Sequence, residues 1–241
     1  MNIRDRKRQF AEKQHYARLN IQTALFDMDG VLFDSMPMHA KAWVAALESF
    51  HIPFTEQDVY LNEGSRGSDT VQTAYHRLYD HDCDQQTVDT IYATKSRIFE
   101  SLPPAKPMPG AYELLQTLQQ NHIRSTVVTG SGELSTINKI EETFPGIFDP
   151  KKIVTAYNVK KGKPHPDPYL KGLEMLHVQA SQAMVVENAP MGIQAAAAAG
   201  IFSIALNTGP LPDEELLNAG AQLIYHSMDE LRENVLSIIG G

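Results

Sequence analysis

The chain has 241 residues, 42% of them hydrophobic and 21% charged, which is enough apolar surface to offset chain entropy and excludes a wholly disordered protein. Lys and Arg number 21 against 29 Asp and Glu, a net charge of −8, so nucleic acid and anionic membranes are not expected partners. The single cysteine, Cys83, excludes an intrachain disulfide and a thiolate zinc site, and fits a cytoplasmic protein.

In chain order, residues 1–20 form a charged leader without the apolar stretch of a secretory signal, expected as a solvated helix or a frayed tail. No run approaches the ~20 apolar residues of a spanning helix. Residues 23–27, Thr-Ala-Leu-Phe-Asp, read as a buried parallel strand that delivers a carboxylate at its end. Residues 36–104 then break the pattern, with helical periodicity over 39–50, 68–79 and 85–101 and no core strand. Cys83 falls here between Asp82 and Asp84, which disfavour a thiolate, so it is expected to be inert. A Pro-rich stretch, 102–110, reads as a stiff linker, and 33–37 as the opposite hinge. Beyond it, strand-like runs at 126–129, 153–155, 184–187, 202–206 and 222–225 alternate with helical patterns at 110–121, 132–143, 166–177 and 190–199. The expected fold is α/β. A Rossmann-like, three-layer parallel-sheet core spans residues 21–35 and 105–241, and a small all-helical cap domain, residues 36–104, is inserted after the first strand. Such sheets bind ligands beyond the carboxyl ends of their strands, where hinged segments can close over them.

Four segments at that edge could carry chemistry. In Asp27-Met28-Asp29-Gly30, alternating carboxylates face one site and Gly30 permits a tight turn; the tetrapeptide alone equally fits a solvated acidic strand end. Thr129-Gly130-Ser131-Gly132 precedes a helix and offers a hydroxyl and backbone N–H groups to an anion, or simply caps the helix. Lys163, in the proline-rich stretch 162–168, is either a fixed ammonium for a transferring phosphoryl group or a surface lysine; nearby His165 reads as a spacer. Glu187-Asn188 supplies hard oxygen atoms suited to Mg²⁺, or an acidic turn ahead of Pro190.

Taken together and in this order, the four segments resemble the motifs of the haloacid dehalogenase superfamily, and the stretch Phe26 to Ser35 is especially specific. The resemblance runs from residue 22 onward. The cap inserted after the first motif is similar to that of the subgroup containing β-phosphoglucomutase and many sugar phosphatases. It implies that Asp27 is a nucleophile forming an aspartyl-phosphate and Asp29 the general acid and base. Thr129, Gly130 and Ser131 would hold phosphoryl oxygens, and Lys163 would bridge nucleophile and phosphoryl group. It further implies Mg²⁺ bound by Asp27, the Asp29 carbonyl, Glu187 and Asn188. Charge logic agrees, because a carboxylate approaches a phosphate only where cations shield it. An ionised neighbour raises the Asp29 pKa while metal and Lys163 lower it, which leaves the balance open. Asn188 stands where many relatives carry Asp, and the lost charge is expected to weaken Mg²⁺ binding. In the cap, His39, Arg66 and Lys95 match substrate-binding positions: Arg66 would grip a second phosphate, and His39 would hydrogen-bond Asp29. Trp43 reads as cap core. The implied function is Mg²⁺-dependent phosphoryl transfer on a small phosphorylated metabolite by a monomer. Sugar phosphate hydrolysis is the first reading, and β-phosphoglucomutase activity the alternative. A dehalogenase and a noncatalytic sugar-phosphate binding module fit less well, since both aspartates and Lys163 are present.

Overall fold

The computed structural model describes residues 2–131 and 134–240, and for 134–137 the backbone alone. Gly132 of the second motif lies outside the described residues. The leader differs from its expectation. Asn2 Oδ1 accepts the Asp5 N–H at 2.8 Å and starts a helix, α1 (Ile3–Lys13). Its Phe10 and Ala11 are buried in the main core, with Phe10 edge-to-face on Phe202 at 5.4 Å. Two apolar residues among many charges are too sparse to register as a buried face in the sequence.

Strand β1 (Thr23–Phe26) is buried along its length, as a central parallel strand must be. The chain then leaves the sheet for four helices: α2 (Met36–Ser49), α3 (Glu56–Leu61), α4 (Gly67–Tyr79) and α5 (Gln85–Ser101). They close on their own apolar cluster, which includes Trp43, Leu47, Val71 and Ile91. The short α3 has no counterpart in the sequence reading. It is held by a capping box in which Thr55 and Asp58 satisfy each other's backbone N–H groups. Cys83 is buried in this cluster, and burial pushes its thiol pKa up.

The chain returns through α6 (Ala111–Gln120), β2 (Arg124–Val127), α7 (Leu134–Thr143), α8 (Asp167–Leu176), β3 (Ala183–Glu187), α9 (Pro190–Ala198), β4 (Phe202–Leu206), α10 (Asp213–Ala219), β5 (Leu223–Tyr225) and α11 (Met228–Ile239). The five strands are all parallel, in the order β2-β1-β3-β4-β5. Alternate residues divide between two cores. Phe26, Val127, Val186 and Ile204 pack with α1, α6 and α11 on one face, whereas Leu25 and Val185 pack with α8 and α9 on the other. The expected strand at 153–155 is a single bridge, Val128 to Val154. It stops there because 3₁₀ turns flank it at Pro150–Lys152 and Ala156–Asn158, the first capped by Asp149 and the second by a Thr155–Asn158 box. Among the described residues, no helix is long and apolar enough to cross a membrane.

Candidate active site

Register brings the first and fourth motifs together. Phe26 pairs with both Val127 and Val186, so Asp27, Val128 and Glu187 emerge side by side where the sheet changes winding direction. Lys163, from the loop before α8, reaches into this point. Its Nζ donates to Asp27 Oδ1 and to Glu187 Oε1, both at 2.5 Å, and to the Val128 carbonyl at 3.1 Å. Only about 2% of Lys163 is exposed. Burial works against its ammonium, but Asp27 and Glu187 outweigh that and raise its pKa. Burial also pushes Asp27 up to about 8, against the pull of Lys163 and with the Glu187 and Asp29 charges adding. Were both carboxylates ionised, Asp27 and Glu187 would set two negative charges against one ammonium.

Glu187, expected as a metal ligand, is engaged here by protein groups. Oε1 also accepts the Tyr169 hydroxyl at 2.8 Å, while Oε2 accepts the Asn188 and Ala189 N–H groups at 3.0 and 3.3 Å. Both oxygens are in use, and the carboxylate fixes Lys163 from below. Its space depends on Gly192, where a Cβ would lie 1.8 Å from Oε1. Asn188 is different. Its Oδ1 is buried and has no hydrogen-bond partner among the described residues, a costly state that a cation would relieve. Gly30, at φ +76°, lets Asn188 approach: a Cβ there would sit 2.2 Å from Asn188 Nδ2. Among the described residues, no group of three His, Cys, Asp or Glu side chains is placed to hold a metal ion. Asp27 and the Asn188 oxygen nevertheless fit Mg²⁺, which uses one or two carboxylates and keeps waters rather than demanding an all-protein cage.

Asp29 lies one step further out. Its Oδ1 accepts from Ser35 Oγ at 2.5 Å and faces His39 Nε2 at 3.2 Å. Lys95 Nζ stands 3.0 Å from the other ring nitrogen, Nδ1. An ammonium only donates, so Nδ1 accepts and Nε2 carries the proton toward Asp29. Phe99 stacks on the His39 ring at 4.3 Å and holds its plane. Burial pushes Asp29 up, but His39 and Ser35 outweigh it and keep it at about 2. Sequence reading left that contest open; a cap residue decides it, in favour of the carboxylate.

Thr129 Oγ1 accepts the Ser131 N–H at 3.0 Å, which shapes the loop that also contains Gly130. The cap closes on this loop. A Cβ on Gly130 would meet the Gly64 carbonyl at 2.8 Å, and one on Gly64 would meet Lys163 Cδ at 3.1 Å. Between cap and core lies a cavity of about 170 Å³ whose lining includes Asp29, His39, Glu63, Lys95, Ser131 and Lys139. Trp43, largely buried in the cap cluster, contributes one edge. Arg66 does not line this cavity. Its guanidinium is gripped twice by Asp69, at 2.9 Å, and donates to the Lys160 carbonyl at 2.8 Å, pinning the cap to the core. The expected grip on a second phosphate differs because Asp69, one helical turn on, competes for the same fork. His165 pairs with Asp167 at 2.9 Å.

Sequence reading missed four residues here. Ser35 lies inside the most specific motif and was legible. Tyr169 follows a proline-rich segment and Glu63 precedes a glycine-containing one, and neither segment gave them a separate signal. Lys139, 4.5 Å over the Phe33 ring, comes from α7 and had none.

Residues 24–206 match the family model described as haloacid dehalogenase-like hydrolase. The chain belongs to this family, and it is an enzyme with a Rossmann-like α/β core. Within the family it is 31% identical over 212 residues to validoxylamine A 7'-phosphate phosphatase of Streptomyces hygroscopicus subsp. limoneus, covering 88% of this chain and 96% of that one. It is 30% identical over 212 residues to hexitol phosphatase A of Escherichia coli, covering 86% and 91% respectively. Among solved structures, a Bacteroides vulgatus protein provisionally named beta-phosphoglucomutase is 40% identical and superposes with a TM-score of 0.95 over 99% of this chain and 98% of that one.

Proposed function

We propose that this enzyme is a Mg²⁺-dependent phosphatase of sugar or polyol monophosphates that works through an aspartyl-phosphate. The observation that carries the reading is Lys163 held at 2.5 Å by both Asp27 and Glu187 at the strand ends, where the cap loop at Gly64 docks on it. A carboxylate so placed meets a phosphoryl group whose charge the ammonium offsets. Asp27 Oδ2 attacks phosphorus in line, the ester P–O bond breaks, and Asp29 gives its proton to the leaving oxygen. Asp29 takes that proton from solvent before the bond breaks, and His39 Nε2, 3.2 Å away, hydrogen-bonds the carboxylate that the transfer leaves. In the second half, Asp29 takes a proton from water, the hydroxide oxygen bonds to phosphorus, and the P–O bond to Asp27 breaks to release inorganic phosphate. Ser131 and the Gly130 backbone line the side where phosphoryl oxygens would rest. Asp27, the Asp29 backbone carbonyl and Asn188 Oδ1 would hold Mg²⁺. When bound, the ion supplies charge neutralisation for the phosphoryl group.

Hydrolysis is favoured over mutase chemistry by Arg66. A mutase must retain a bisphosphate, and this arginine is committed to Asp69 and Lys160 outside the cavity. The likeness to the Bacteroides vulgatus protein supports the mutase alternative. A panel of phosphate monoesters with Mg²⁺ or EDTA tests the first reading, with phosphate release expected only with metal. Glucose 6-phosphate accumulating from β-glucose 1-phosphate and a trace of bisphosphate, without phosphate release, would establish the mutase instead.

A further inference from the structure

The cavity between cap and core is lined by a carboxyl group that the chemistry above does not use. Glu63 sits just before Gly64, in the cap loop that docks over Gly130 and Lys163, and it lines the cavity with Asp29, Lys95 and Lys139. We infer that Glu63 determines specificity, making the cavity accept a phosphate monoester whose far end is neutral and rich in hydroxyl groups, and refuse one that carries a second phosphate. The inference deepens the phosphatase reading and rests on it for the identity of the first phosphate site.

Geometry and charge carry the argument. A monoester whose phosphoryl group rests at Gly130 and Ser131 extends into the cavity that these residues share with Glu63. In so small a space its far end lies against the loop containing Glu63. A carboxyl group there accepts hydrogen bonds from sugar or polyol hydroxyls. It meets a phosphate dianion as a like charge, or as a carboxyl forced to stay protonated. Lys95 does not reverse the preference. It spends one N–H on His39, lies 4.7 and 5.3 Å from the Phe99 and Trp43 ring centres, and faces the Glu63 charge. Arg66, two residues beyond Gly64, is the cation best suited to a distal phosphate, and it points to Asp69 instead. The two features act together: one removes the attractive partner and the other adds a repulsive one, the usual route to discrimination.

The test compares wild type with Glu63→Gln and Glu63→Arg. For each, kcat/KM is measured with glucose 6-phosphate, a hexitol phosphate and glucose 1,6-bisphosphate in Mg²⁺. Removing the charge is expected to raise the bisphosphate-to-monophosphate ratio by about tenfold, and Arg by more. A ratio unchanged in both variants, with melting temperatures like wild type, overturns the inference. The same ligands are titrated calorimetrically against Asp27→Asn with and without Glu63→Gln, and the ratio of Kd values is expected to move in the same direction; an unmoved ratio overturns the inference again. This arm needs no turnover. Should wild type release phosphate from no monoester at all, the phosphatase reading falls, while the binding ratio still decides the role of Glu63.

Discussion

The strand-end cluster and the cap side chains meet where the cap loop at Gly64 docks on Lys163, and they are built by different rules. At the strand ends, Asp27, Lys163 and Glu187 are almost wholly buried, and Glu187 has both oxygens in use. Their positions follow from strand register and from glycines that admit them, so they are rigid before any ligand arrives. On the cap side, His39, Lys95 and Glu63 keep contact with the cavity and hold one another through hydrogen bonds, stacking and charge. The difference separates tasks. Chemistry common to a family needs fixed geometry, whereas choice among substrates needs side chains that change without disturbing the sheet.

The comparison breaks first at the rigid side. Asp27→Asn is expected to lower phosphate release from every ester by about 10³-fold or more, since the amide cannot attack. Turnover near wild type would remove the covalent mechanism. Its melting temperature should hold or rise, because burial already disfavours the ionised form of the carboxyl that is replaced. Lys163→Met comes next. It leaves Asp27 and Glu187 without their cation, so a cost of about 3–5 kcal/mol in denaturant titration and about 10²-fold or more in kcat is expected. A mild loss would mean that the buried carboxylates do not depend on this ammonium.

Asn188→Asp sharpens the link between rigid geometry and metal. The added charge is expected to lower the Mg²⁺ concentration for half-maximal activity by about tenfold, read by titration and by calorimetric Mg²⁺ binding. Unchanged or weaker binding would show that the Asn188 oxygen does not face the ion. The smallest effect belongs to the cap. Burial raises the Asp58 pKa, but hydrogen bonds from Arg77 and Thr55 outweigh it and hold it below its ordinary value of 3.8. A depressed carboxyl contributes stability that is present above the unfolded value and lost as pH falls through the folded one. Asp58→Asn should therefore cost about 1 kcal/mol at neutral pH and little in strong acid. An equal cost at both pH values would assign the effect to packing.

Much of this was legible where local pattern and tertiary role coincide. The apolar run ending in Asp27, the alternate Asp29, and Gly30 at a positive φ follow from strand periodicity and turn sterics. The capping signature Thr55-x-x-Asp58 was present in the sequence, but a six-residue helix is too short for periodicity to reveal. The run at 153–155 has strand composition, yet turns on either side limit it to one bridge. Arg66 and Glu187 show the other limit. Their types suited an anion and a metal, and the structure gives each a nearer partner: Asp69 for the guanidinium, and Lys163, Tyr169 and two backbone N–H groups for the carboxylate.

The order of apolar runs, acids and glycines determined by itself that this chain builds a parallel sheet with carboxylates at one edge, because burial and backbone sterics act over a few residues. Which oxygen faces which proton was decided only in three dimensions. Lys163 and Asp27 are 136 residues apart, and Lys95 and His39 are 56. Hydrogen bonding and charge depend on ångström-scale distances between such segments, and packing alone sets those distances.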